Sequence, residues 1–241
     1  MTIIHDKRLP PEYLEGLKGH FPGADLLAFG GMPGAAYESI SCHPDIFLFE
    51  LDPETVIYAP GVDPYLLGAI RKAGIKTVAG SEIPGGAYPG TVRYNAVRVG
   101  DNIICSWGRL DIAVRGRIIA AAYNVLDVGQ GYARCSVLKL SEKALVTSDR
   151  GIARSAENAG LEAMLISGGG VVLPGQEHGF IGGASGYCGR EKVIVLGDLE
   201  SHTDGHRIRA FASERGVKLL EMPGLPLYDA GSVIICGGGL K

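Results

Sequence analysis

ETVIYAPGVDPYLLGAIRKAGIKTVAG (54–80) reads as a strand, a turn, a helix and a second strand, and the chain contains this phrase three times. The other copies are EKALVTSDRGIARSAENAGLEAMLISG (142–168) and REKVIVLGDLESHTDGHRIRAFASERGVKLLEMPG (190–224). Gly74, Gly160 and Gly216 stand just past each helix, where a left-handed residue closes the last turn without a Cβ clash. A recurring supersecondary unit is the signature of a repeat architecture.

Each copy is followed by a glycine- and proline-rich stretch and a short apolar strand: NAVRVGDNIICSWG (95–108), GVVLPGQEHGFIGG (170–183) and AGSVIICGGG (230–239). The first two read as hairpins turning at Gly100-Asp101 and Pro174-Gly175. In RLDIAVRGRIIAAAYNVLD (109–127), Leu110, Val114, Ile118, Ala121 and Val125 recur at helical spacing. The chain therefore parses into strand-strand-helix-strand units at roughly 42–94, 95–130, 131–169 and 170–228. A fifth unit can be assembled from 229–241 and the N-terminal segment, whose ADLLAF (24–29) reads as a strand. Joining both ends closes a ring and removes exposed sheet edges. An open doubly wound sheet also fits alternating strands and helices. Two-residue hairpins argue against it, because purely parallel sheets do not contain them.

Nothing in the 241 residues reads as a linker, so a single domain spanning 1–241 is expected. The 37 glycines lie between apolar runs, which suits tight turns rather than disorder. A net charge of −3 gives no support to nucleic-acid or anionic-membrane binding, so neither partner is expected. The N-terminus lacks the basic and apolar pattern of a secretory signal, and no apolar run approaches a membrane span. Five scattered cysteines without a C-x-x-C pair suggest a reduced, cytoplasmic protein with no zinc knuckle. No metal or cofactor is expected, the partner is a small-molecule substrate or ligand, and homo-oligomer formation is left open.

SCHPDIFLFELDPETVIYA (41–59) resembles the first strand pair of the pentein superfamily, the guanidine-modifying α/β propellers that include dimethylarginine dimethylaminohydrolases and amidinotransferase-like enzymes. The resemblance implies a five-fold α/β propeller of strand-strand-helix-strand repeats. It also implies that Asp45 and Glu50 are substrate-binding acids, although Leu51 stands where the second acid of the family's pair is found. AGSVIICGGG is similar to the family's closing strand, which puts the catalytic cysteine at Cys236. Where the family's hairpin opens on a guanidine-gripping aspartate, this chain has Asn95 and Gly170. The family's catalytic histidine belongs in GQGYARCS (129–136), which has none, Tyr132 being the nearest placement.

Other residues supply candidates by chemistry alone. His178, beside Glu177 in a loop, and His43 are the histidines suited to replace the absent base. By the period of two, His43 and Asp45 share one strand face and can pair, whereas Asp45 and Glu50 face opposite sides. Asp229 opens the final strand region as a second carboxylate for a cation. Arg134 can clamp a substrate carboxylate bidentately or pair with one of these acids. His202 and His206 lack the glutamate of a metalloprotease motif and read as a polar helix start; SGGG (167–170) lacks the Lys-Ser/Thr of a phosphate loop. The functional expectation is a thiol-dependent hydrolase or transferase acting on C–N bonds of a small guanidine- or amidine-like cation. The alternative is a non-catalytic pentein-fold binding or interaction protein.

Overall fold

Alternating β-branched and polar residues around helical patches fold in chain order as the repeats dictate. The computed structural model describes residues 1–237. β1 (Thr2–Asp6), α1 (Pro11–His20) and β2 (Asp25–Phe29) come first. α2 (Pro44–Phe47) then leads into β3 (Leu48–Asp52), β4 (Thr55–Tyr58), α3 (Pro64–Lys72) and β5 (Lys76–Ala79). The next unit is β6 (Val97–Val99), β7 (Asn102–Cys105), α4 (Ile112–Ala120) and β8 (Asn124–Asp127). α5 (Ala133–Ser136) precedes β9 (Val137–Lys139), β10 (Ala144–Thr147), α6 (Arg150–Asn158) and β11 (Glu162–Leu165). After β12 (Val171–Val172) come β13 (Ser185–Tyr187), β14 (Lys192–Val195), α7 (Gly205–Glu214) and β15 (Lys218–Leu220). β16 (Leu227–Tyr228) and β17 (Ile234–Cys236) close the described chain.

The strands form separate three-stranded sheets rather than one open sheet: β3-β4-β5, β6-β7-β8, β9-β10-β11, β13-β14-β15 and β17-β1-β2. In each, the central strand is antiparallel to the first and, across the helix, parallel to the third. The last sheet joins the two ends of the chain, Ile3 opposite Ile235 and Ile4 opposite Ile234. Central strands carry the apolar load, with Ile57, Ile103, Leu145, Ile194 and Ile3 each fully buried. The outer strands are half-exposed and begin or end on charges such as Lys76, Glu162 and Lys218, which discourage pairing with a further strand.

The starts of α3, α4 and α6 are fixed by side-chain caps. Asp63 accepts from the Tyr65 N–H at 2.9 Å and Asp149 from the Ile152 N–H at 2.8 Å. Asp111 accepts from Ala113 and Val114, and its other oxygen takes the Ser81 and Glu82 N–H groups, which locks α4 to the preceding loop. Helix ends use Gly74, Gly160 and Gly216 at φ 87°, 78° and 67°, but after α4 the left-handed position is Ala122 at φ 56°. Ala122→Gly is expected to stabilise the fold by about 0.5–1 kcal/mol, because the Cβ penalty is removed at a position glycine fills elsewhere. The check is a urea-unfolding midpoint that rises without a change in slope.

Two expectations need correction. The helix in 109–127 is shorter than its apolar spacing suggests: α4 stops at Ala120, and Val125 lies in β8 against Ile103. The run 170–183 is not a hairpin, since β12 pairs in parallel with β16. The antiparallel pair of that unit is β13 with β14, turning through Gly189, Arg190 and Glu191, all at positive φ. The hairpin at 95–108 forms as β6 and β7. His202 and His206 do not share a helix face: α7 begins at Gly205, and His202 Nδ1 accepts the Asp204 N–H at 2.9 Å. No helix among the described residues is long and apolar enough to cross a membrane.

Candidate functional site

Five short segments run into the first strands of the five sheets, and hydrogen bonds tie them in a cycle. The Asp45 N–H donates to the Gly231 carbonyl at 3.1 Å. Asn95 donates through Nδ2 to the Asp45 carbonyl at 3.1 Å and accepts the Arg134 N–H on Oδ1 at 2.8 Å. An amide side chain carries both a donor and an acceptor, so one buried residue links three units. The Gly183 N–H donates to the Cys135 carbonyl at 2.9 Å and the Ser232 N–H to the Gly183 carbonyl at 2.8 Å, which returns the cycle to Gly231.

Functional groups project from these segments. The Cys135 thiol donates to Asp45 Oδ2 at 3.0 Å, and the Ser232 hydroxyl donates to the same oxygen at 2.8 Å. Asn95 Nδ2 lies 3.2 Å from Cys135 Sγ. The other Asp45 oxygen, Oδ1, is buried without a hydrogen-bond partner. Burial pushes the Cys135 thiol well above its ordinary range, and the carboxylates of Asp45 and Asp229 push it further, against a smaller pull from Asn95. At rest this cysteine is a protonated donor to a carboxylate.

His43 sits between two acids, with Nδ1 3.8 Å from Asp229 Oδ1 and Nε2 3.9 Å from Asp6 Oδ2. Its Nδ1 has no hydrogen-bond partner. Asp6 is gripped by the Arg8 guanidinium at 2.7 and 3.0 Å. Asp229 accepts the Phe180 and Gly231 N–H groups at 2.8 and 3.0 Å. Burial raises the Asp229 pKa and His43 opposes that rise. Glycines make this crowding feasible: a Cβ on Gly183 would overlap the Asp229 carboxylate, and one on Gly231 would overlap the His43 Cβ.

A cleft of about 320 Å³ opens onto these groups, with His43, Cys135 and Asp229 in its wall. Tyr37, Tyr132 and Phe180 supply aromatic surface. The Tyr132 hydroxyl is fixed by Tyr37 at 2.9 Å and Thr91 at 2.7 Å, and its ring lies 6.4 Å from that of Phe180. His178 is exposed at the rim, edge-on to Phe180. Buried carboxylates with a spare oxygen and aromatic faces suit a small organic cation.

The structure thus gathers His43, Asp45, Asn95 and Asp229, with His178 at the entrance, and leaves three expected residues elsewhere. Cys236 lies in β17 within the apolar core; burial first, then Glu50, pushes its thiol up to about 12. The thiol touching Asp45 is that of Cys135. The glycines after Cys236 allow no comparison beyond Gly237, since Gly238 and Gly239 lie outside the described residues. Glu50 and Arg134 line a second cleft. Nor do His43 and Asp45 pair: Pro44–Phe47 is a helical turn, so the strand period fails there and the two side chains reach different partners. Cys135, Ser232 and Asp6 were not singled out by their sequence. The usable signal was position, since Cys135 and Ser232 occupy the same place ahead of a first strand as Asp45 and Asn95. Among the described residues no group of three or more His, Cys, Asp or Glu is arranged to hold a metal ion.

The description "Family of unknown function (DUF6873)" fits residues 24–234. No curated protein matches the sequence. Among solved structures, SxtG, an amidinotransferase from Microseira wollei in the saxitoxin biosynthetic pathway, superposes with a TM-score of 0.49 and 13% identity, over 90% of this chain and 87% of that one.

Proposed function

We propose, for a chain that belongs to the family of unknown function DUF6873, that the Cys135 cleft binds a small guanidinium- or amidinium-type cation and cleaves its C–N bond through the Cys135 thiol. The observation that carries this reading is the 3.0 Å contact of Cys135, a residue of the cleft wall, with Asp45, whose second oxygen is buried and unpartnered. The five sheets are read as the blades of a closed α/β propeller; the cycle of hydrogen bonds through Asp45, Asn95, Arg134, Gly183 and Ser232 supports that reading.

A planar cation docked between Asp45 and Asp229, against Tyr132 and Phe180, offsets the two negative charges that, after burial, raise the thiol pKa. Its arrival therefore favours the thiolate. Sulfur adds to the central amidino carbon, and the thiol proton passes by way of His43 to the departing nitrogen. The C–N bond breaks, an amine or ammonia leaves, and an S-amidino adduct remains on Cys135. Water then adds to that carbon with His43 taking its proton. The C–S bond breaks, sulfur recovers a proton and a ureido product departs; an acceptor amine in place of water gives group transfer instead.

The test incubates the protein with a panel of monosubstituted guanidines and amidines, reading amine release, ureido product and adduct mass on the Cys135 peptide. Product together with the adduct is the expected result. A second reading, a cation-binding module without turnover, is favoured by the strongly raised thiol pKa. Guanidinium-induced thermal stabilisation with neither product nor adduct would establish that module, and the absence of any stabilisation would end both readings.

A further inference from the structure

The second cleft, also about 320 Å³, is built from charges that do not satisfy one another. Arg134 is 7% exposed, and its guanidinium reaches only two carbonyls, Val137 and Gly182, at 3.4 and 3.3 Å. Among the described residues no carboxylate lies within 4.0 Å of it. Glu50 faces the same void, likewise without an ion pair at that distance. Burial raises the Glu50 carboxyl, and Arg134 is the foremost group opposing the rise, followed by Lys139 and Arg98. A buried guanidinium and a half-buried carboxyl thus share a cavity without an ion pair within 4.0 Å, an arrangement that is costly unless something bridges it.

The remaining charges sharpen the polarity. Lys139 and Arg98 both bond to Glu142, at 2.6 and 2.7 Å, so a single carboxylate serves two cations. Lys139 also lies 4.5 Å above the Tyr187 ring. Burial foremost lowers its pKa to about 8, in the direction expected of an ammonium short of negative partners. Asp52 adds a carboxylate on the side of Glu50. Three cations face three carboxylates, so the cleft is neutral overall but divided. A simple anion would meet Glu50 and a simple cation would meet Arg134.

We propose that this cleft binds a small zwitterion of the amino-acid class, its carboxylate held by Arg134 and its ammonium by Glu50. Arg134 presents the planar fork that matches a carboxylate. Ala96, Val97 and Ile235 give the same cavity apolar wall for a short aliphatic side chain. The volume lies in the range of small-ligand pockets. The site is separate from the Cys135 cleft: Arg134 and Cys135 are neighbours in α5, yet they line different cavities. It does not depend on the reading of Cys135.

Calorimetric titration with three probes tests the proposal: L-leucine, 4-methylpentanoate, which lacks the amine, and 3-methylbutylamine, which lacks the carboxylate. Leucine is expected to bind with each analogue weaker by about tenfold or more. Glu50→Gln should weaken leucine about tenfold while leaving 4-methylpentanoate unchanged. Arg134 abuts the hydrogen-bonded cycle, so Lys139→Met, outside it, provides a second variant and is expected to weaken leucine and the acid together. No binding of leucine at millimolar concentration, equal binding of either analogue, or indifference of leucine to Glu50→Gln would overturn the assignment.

Discussion

Cys135→Ala is expected to reduce product formation more than about 1,000-fold, while Cys236→Ala leaves it within about twofold. Both thiols are buried and free, and burial raises both. Their surroundings separate them. Cys236 packs among core side chains and loses little more than a sulfur's worth of contact on truncation. Cys135 donates to Asp45 in a cleft wall, where a cation can offset the carboxylate charges that add to burial in raising its pKa. Alkylation rates provide an independent readout. Asp45 raises the Cys135 pKa by its charge and by its hydrogen bond, so Asp45→Asn lowers it. Each unit recovered increases the thiolate fraction at pH 8 about tenfold, so the variant should label faster than the native protein. Slower labelling in Asp45→Asn, or equal activity losses in the two cysteine variants, would remove Cys135 from its role.

Gly231→Ala should destabilise the fold by about 3 kcal/mol or more, with the urea midpoint as the measure. Two penalties coincide there. The backbone is left-handed at φ 65°, which disfavours any Cβ. The new methyl would also overlap the Cα, Cβ and Cγ of His43, the first two of which no rotamer change can move. Its carbonyl accepts the Asp45 N–H and its N–H donates to Asp229, so relaxation would disturb both carboxylates. Gly183→Ala meets the end of the Asp229 side chain instead, which two N–H contacts and His43 hold less rigidly than backbone; a smaller loss is expected. An unchanged midpoint in Gly231→Ala would mean that the close packing of His43 against this turn contributes nothing to stability.

The repeated phrase made the sheets legible, because strand and helix periods and the glycines after three helices are local signals. That the two ends share a sheet was also within reach, as ADLLAF and SVIIC are apolar runs left over after the other units are assigned, but the strand that joins them, β1 at Thr2–Asp6, was not read. The run 170–183 misled because Pro174-Gly175 between apolar residues imitates a hairpin turn. The strand actually used, Ser-Gly-Tyr at 185–187, is short and glycine-bearing, and burial beneath Val233 rather than propensity makes it a strand. Within the site, the acids and Asn95 were readable from their neighbours, but the cysteine was not. Beyond its place ahead of a first strand, Cys135 is marked by contacts from residues 40 and 90 positions away, and spacing along a chain carries no record of these. Asp45 and Glu50 were rightly separated, though for the wrong reason: a helical turn, not an extended strand, parts them.

Because β1 and β17 are partners, β1, made long before β17, keeps a bare hydrogen-bonding edge until that strand emerges. A nascent chain therefore carries Ile3 and Ile4 unshielded through most of its synthesis, next to the Asp6 that later flanks His43. Any message cut short before codon 234 would release a product with that edge still open, a template for clumping and a handle for chaperones. Synthesis of β17 thus acts as a checkpoint, passed only by molecules that can seal the edge of β1.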